Sequence, residues 1–184
     1  AGIEPVKVDK KIIDLLVFAK EKYTETNASF NIAMGSVLEI WHDYRTEGID
    51  DPENAKLPPM EKLKIAQNHT DINKIIIDEA NSTVYLSDKD MSIDVGSVGK
   101  GYAVEQVCRD AKKKGFKHGL VSVGGNVRAI GNKGIDNEMW NVGVENPDRE
   151  SEKKSLVTLK IENMSLVTSG DYQRYYTVNG VQYH

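Results

Sequence analysis

Apolar positions along the first third of the chain recur at helical spacing. Ile12, Leu15, Leu16, Ala19 and Tyr23 form one stripe, with Asp9 placed to cap its start. A second stripe, Val37, Leu38, Trp41 and Tyr44, follows the break at Gly35-Ser36. Pro52, Pro58 and Pro59 mark a connection, and a third helix is predicted over residues 60–67. The pattern then changes period. KIIIDEA and TVYLSD are strand-like runs joined at Asn81-Ser82, which predicts a hairpin. Ser92-Ile93-Asp94-Val95 is expected to complete a strand before a helix over residues 99–113. The later runs GLVSVGG, NVRAIG, MWNVGVE, LVTLKIE, SLVTSG and YQRYYTV are mostly strands, and Asn179-Gly180 signals a further hairpin. Helices beside a largely antiparallel sheet make the expected class α+β. No internal repeat or low-complexity segment interrupts the pattern.

Size and charge narrow the possible functions. A chain of 184 residues suits one domain, or two small halves sharing a core. A net charge of -4 gives no electrostatic case for nucleic acid or an anionic membrane. The single cysteine, Cys108, excludes an internal disulfide; its stripe with Val104, Val107 and Ala111 makes it a core thiol. No apolar run has the length of a membrane span, and the first residues, AGIEPVKVDKK, lack the apolar centre of a signal peptide.

Three glycine-bearing stretches carry the candidate chemistry. In SIDVGSVGKGYAVEQV, Gly96-Ser97-Val98-Gly99-Lys100-Gly101 leads into a helix whose first amides have no internal acceptor. Such a helix start attracts an anion, and Lys100 adds a cation beside it. The spacing matches neither the P-loop nor the dinucleotide fingerprint, so a plain turn is the competing reading. GLVSVGGNVRAIG ends a strand at Gly124-Gly125-Asn126, either a bare backbone open to a flat or phosphorylated ligand or a simple bulge. SLVTSGDYQRYY crowds Thr168, Ser169, Asp171, Tyr172 and Arg174 after a strand, a pattern that loops with local side-chain turns also produce. These motifs are expected to converge on one groove. His42, His69 and His118 lack metal-ligand spacing and are expected to be solvated or structurally bonded.

The order of the pieces carries a resemblance. ASFNIAMG and VLEIW, then SIDVGSVGKGYAVE, LVSVGGNVRAIG, WNVGVENP and LVTSGDYQRYYTVNGVQYH together resemble the ApbE family, the FAD:protein FMN transferases. The resemblance spans nearly the whole chain. It implies a single T-fold-like α+β domain over residues 1–184, binding FAD in an extended groove with magnesium at the pyrophosphate. The implied reaction moves FMN from FAD to a Thr or Ser hydroxyl of an acceptor flavoprotein, such as a subunit of a redox-driven ion pump, with release of AMP. It further implies an extracytoplasmic protein anchored to the membrane through lipid.

By the same resemblance, Asp94 and Lys100 occupy FAD-contacting positions, Gly124 and Gly125 line the groove, and Ser97 ligates magnesium through its backbone oxygen. Ser29, Phe30 and Asn31 match a stretch whose backbone lines the flavin site, usually G-F-D, so Asn31 departs from the aspartate pattern; Glu105 also stands where aspartate is common. His184 corresponds to the general base or to its immediate neighbour. The family's remaining magnesium ligands, a carboxylate and a hydroxyl in a D-x-x-x-T-like segment, have no counterpart here, nor does an N-terminal strand with its flavin contact. The expectation is a domain truncated at both ends, and residues that bind FAD without turnover or not at all. A flavin-binding or flavin-trafficking protein is the alternative to the transferase.

Overall fold

A computed structural model describes residues 1–134 and 136–184. In chain order the elements are β1 (Val6–Lys7), α1 (Lys10–Glu25), α2 (Gly35–Asp50), α3 (Met60–Gln67), β2 (Ile75–Asp78), β3 (Thr83–Leu86) and α4 (Gly99–Lys113). There follow β4 (Gly119–Val123), β5 (Asn126–Ile130), β6 (Trp140–Glu145), β7 (Ser155–Ile161), β8 (Ser165–Val167), β9 (Tyr176–Val178) and β10 (Val181–Tyr183). Among the described residues the strand pairs are all antiparallel, in keeping with the α+β expectation. The chain forms two compact units, residues 1–97 with 174–184, and residues 98–173.

In the first unit, α1 starts where its cap predicts: the Asp9 carboxylate accepts from the Lys11 amide at 2.8 Å. The buried face of α1 is Ile13, Leu16 and Ala19, whereas Ile12 is 44% exposed. Leu16 and Ala19 of the expected stripe are therefore buried, and Ile13 rather than Ile12 completes the face. Lys20 reaches across to the Ile75 carbonyl at 2.9 Å and ties α1 to β2. The predicted hairpin is present, with Asp78 facing Thr83 across the turn. β1, which the polar lead-in concealed, adds to the outer side of β3 through Val6 and Val84.

Ser92–Val95 is not a strand, contrary to expectation. Its amides are drawn to the start of α2 instead of to a neighbouring strand. Ser92 donates to Ser36 Oγ at 3.2 Å, and Asp94 donates to the Ile32 carbonyl at 2.9 Å. The segment is extended, but its hydrogen bonds are not a ladder.

In the second unit, α4 packs on the sheet β4-β5-β8, and β6-β7 form a separate hairpin. Val104, Cys108 and Ile130 form one buried cluster, which confirms Cys108 as a core thiol; Ala111 and Val121 pack against it. Val107 is instead 54% exposed. Ala129, Val142 and Ile161 form a second cluster with Trp140 at its edge, the indole donating to the Gly131 carbonyl at 3.1 Å.

Candidate functional site

The second unit holds Gly99, Lys100 and Gly101 of the first glycine motif, the Gly124-Gly125 pair of the second, and Thr168 of the third. α4 begins at Gly99 after Val98, and no side chain caps it and no acidic residue occupies its first turn. By contrast, Asp9 caps α1 with its own carboxylate. The first amides of α4 thus keep their donor capacity, at the positive end of a 15-residue helix. Lys100 extends from this turn, and its Nζ donates to the Gly124 carbonyl at 3.2 Å.

Gly124 and Gly125 are a two-residue hairpin turn between β4 and β5, with Val123 facing Asn126. They have φ of +51° and +87°, which makes them neither a bulge nor a strand crossing. Consecutive positive φ values match the right-handed twist of the flanking strands, and glycine adopts them without steric cost. Behind the turn lies the third motif. The Thr168 amide donates to the Gly125 carbonyl at 3.4 Å, following β8, which pairs with β5 through Asn126 and Val167. Asn126 is the buried polar residue at the base of the turn, 8% exposed. Its burial is a feature that glycine counting alone does not single out.

Glu105, one turn further along α4, holds the helix to the sheet. Its carboxylate accepts from Arg109 Nε at 2.9 Å and from Arg128 Nε on β5 at 3.0 Å. Burial alone would raise the Glu105 pKa, but the Arg109 hydrogen bond and the charges of Arg128 and Arg109 outweigh it and hold the group below its usual value. A glutamate satisfies both arginines at once. The residue that departs from the family pattern therefore docks the helix that carries Lys100.

The first unit holds the other singled-out residues. Asn31 is half-buried: its Oδ1 accepts from the Ala33 amide at 2.8 Å, and its Nδ2 donates to the Thr70 carbonyl at 2.9 Å. An aspartate could make the first bond but, when ionised, not the second. The asparagine thus acts as a structural tie. Ser29 and Phe30 precede it; the Phe30 amide donates to Thr26 Oγ1 at 3.1 Å, and Asn27 and Ala28 just before them have positive φ. The Asp94–Ile32 hydrogen bond brings the Ser29-Phe30-Asn31 stretch and Asp94 into one neighbourhood.

Asp94 uses Oδ1 to accept from the Gly96 amide at 2.6 Å, which shapes the turn leading to exposed Ser97. Ser97 can offer a metal only a carbonyl or hydroxyl oxygen. Among the described residues, the only group of three His, Cys or carboxylate side chains close enough to share an ion is His69, Asp88 and Asp90, which contains neither Ser97 nor Asp94. Magnesium prefers six oxygens and carboxylate charge, so the donors around Ser97 do not make a magnesium site on their own.

His184 is exposed, and its Nδ1 lies 2.9 Å from the Arg174 carbonyl. A carbonyl only accepts, so Nδ1 carries the proton and the neutral ring keeps its lone pair on Nε2.

The sequence model of the ApbE family matches residues 1–184. The chain belongs to the ApbE family. It is 30% identical over 196 residues to the FAD:protein FMN transferase of Treponema pallidum, covering 100% of this chain and 52% of that protein. It is 28% identical to the enzyme of the same name from Klebsiella pneumoniae, covering 100% of this chain and 54% of that one. Among solved structures, the ApbE protein of Thermotoga maritima superposes with a TM-score of 0.79 at 30% identity, covering 98% of this chain and 56% of that chain. The apo flavinyl transferase ApbE of Pseudomonas stutzeri shares the fold, with a TM-score of 0.74 at 21% identity and coverage of 98% and 53%. The chain thus spans about half the length of the relatives it matches.

Proposed function

We propose that this ApbE-family chain binds FAD as the donor for FMN transfer to a protein hydroxyl. The observation that supports this reading most is the uncapped start of α4 beside the Gly124-Gly125 turn, with the Lys100 ammonium between them. The pyrophosphate of FAD carries two negative charges. Helix amides, a bare glycine backbone and a lysine are the donors that such a group requires.

In the transfer itself, the acceptor hydroxyl attacks the FMN phosphorus, the phosphoanhydride bond breaks, AMP leaves, and the hydroxyl proton passes to a base. Lys100 neutralises part of the charge on the group being transferred. His184, with its Nε2 lone pair, stands where the family resemblance puts the base or its neighbour. Ser97 would offer a bound magnesium one oxygen, and the ion would supply further neutralisation of the pyrophosphate charge. The expected behaviour of these 184 residues is FAD binding without transfer.

The test incubates the chain with FAD, Mg²⁺ and an acceptor flavoprotein and reads covalent flavin fluorescence and AMP. Quenching of FAD fluorescence without AMP release supports the reading. Metal-dependent AMP release would show that the catalytic groups are misassigned, and no FAD binding would remove the donor assignment altogether.

A further inference from the structure

We propose that His69, Asp88 and Asp90 form a binding site for a divalent transition-metal ion of the zinc, cobalt or nickel type. His69 Nδ1 lies 3.0 Å from Asp88 Oδ1 and 2.9 Å from Oδ2, and one ligand atom from each of the three residues falls within 4.8 Å of the others. A divalent ion with metal–ligand bonds of about 2.1 Å holds neighbouring ligands about 3 Å apart in an octahedron and somewhat further apart in a tetrahedron. The imidazole and the Asp88 carboxylate are thus already at the separation that a shared ion imposes. Small side-chain rotations bring in Asp90.

The three residues sit on backbone fixed independently of any ion. His69 follows α3, its amide donating to the Ala66 carbonyl at 3.0 Å, and the next carbonyl, Thr70, accepts from Asn31. The Asp90 amide donates to Asp88 Oδ1 at 3.0 Å, and the Asp90 carbonyl accepts from Ser36 Oγ at 3.0 Å. This preorganisation lowers the entropic cost of gathering the ligands. His69 and Asp88 are partly buried, with side chains 25% and 20% exposed, while Asp90 faces solvent and leaves room for water in the remaining positions.

The donor set selects the ion. One imidazole nitrogen with two carboxylates suits zinc, cobalt or nickel, whereas magnesium and calcium favour all-oxygen sets. The Lys74 ammonium interacts electrostatically with the Asp88 carboxylate. The nearby Lys74 cation opposes a second positive charge and limits affinity. The competing role is a plain hydrogen bond between His69 and Asp88 that ties the end of α3 to the loop after β3.

The site is independent of the flavin reading, so it is tested with metal alone. Chelator-washed protein is titrated with ZnCl₂ by calorimetry at neutral pH, without FAD or magnesium, alongside H69Q, D90N and the control H118Q. Expected are one saturable site in the parent and in H118Q, at least a tenfold loss of affinity in both H69Q and D90N, and much weaker binding of Mg²⁺. The side-chain amide introduced by H69Q preserves a donor to Asp88, and Asp90 is exposed, so both variants keep the fold, which circular dichroism verifies. Parent affinity in either variant, or no saturable uptake by the parent up to millimolar zinc, overturns the site.

Discussion

Lys100 Nζ and the Gly124 carbonyl meet at 3.2 Å, although the two residues lie 24 positions apart. The contact links the first turn of α4, which has no side-chain cap, to the β4-β5 turn. A lysine satisfied by one neutral carbonyl at the protein surface keeps donors for a stronger acceptor, which a phosphate oxygen is.

The turn itself is the first test. Gly125→Ala puts a β-carbon at φ +87°, a conformation that costs an L-residue about 1–2 kcal/mol, while its contacts with Thr168 at 3.5 Å are ordinary. The expected result in urea denaturation is a loss of about that size. Gly124→Asn, at φ +51°, is expected to be tolerated better, because asparagine occupies the left-handed region readily. Equal stability of Gly125→Ala and the parent would contradict the turn geometry.

A second test concerns the segment carrying Asp94. A β-carbon at Gly35 would lie 2.5 Å from Ser92 Oγ and 2.6 Å from the Ser92 carbonyl carbon and oxygen. Backbone cannot swing away as a side chain can, so Gly35→Ala is expected to destabilise by about 1–3 kcal/mol even though alanine is the better helix former. Thermal unfolding checks this. A rise in melting temperature would mean that α2 and the Ser92–Asp94 segment are not packed so closely.

Glu105 gives a pH prediction. Its folded pKa lies below the ordinary 4.5, so the stability it contributes is complete above about pH 4.5 and is lost as pH falls through the depressed folded value. E105Q removes the charge that Arg109 and Arg128 share. It is expected to be less stable than the parent at neutral pH, with the difference shrinking on acidification. Asp78 and Asp88, also held low by their hydrogen bonds, keep some acid sensitivity in the variant. Denaturation midpoints between pH 3 and 7 measure this, and parallel curves would contradict the ion-pair account.

The elements most visible in the sequence were those with local punctuation. Asp9 set the start of α1, and the Pro58-Pro59 pair preceded α3, which covers Met60–Gln67 as expected; α4 likewise runs from Gly99 to Lys113. What failed depended on partners distant in sequence. Ser92–Val95 has the apolar alternation of a strand, but its amides bond to Ile32 and Ser36, so no ladder forms. β1 is two residues long and acquires its character only by pairing with β3. At the candidate site, the types and order of Lys100, Gly124 and Gly125 were legible, but the hairpin turn and the lysine bridging to it were not. His69 and Asp88 are 19 residues apart with no motif spacing between them, so only the fold brings them together.

The most direct test of the phosphate cradle compares FAD with riboflavin, which has the same ring but no phosphate. Binding of each to this chain and to Lys100→Ala is followed by flavin fluorescence at low and high salt. The parent is expected to bind FAD more tightly than riboflavin, and salt is expected to narrow the gap. Lys100→Ala should lose about tenfold or more in FAD affinity and part of the salt dependence, with riboflavin binding unchanged. Equal FAD affinity in parent and variant at low salt would contradict the claim that Lys100 and the turn it bridges hold the pyrophosphate.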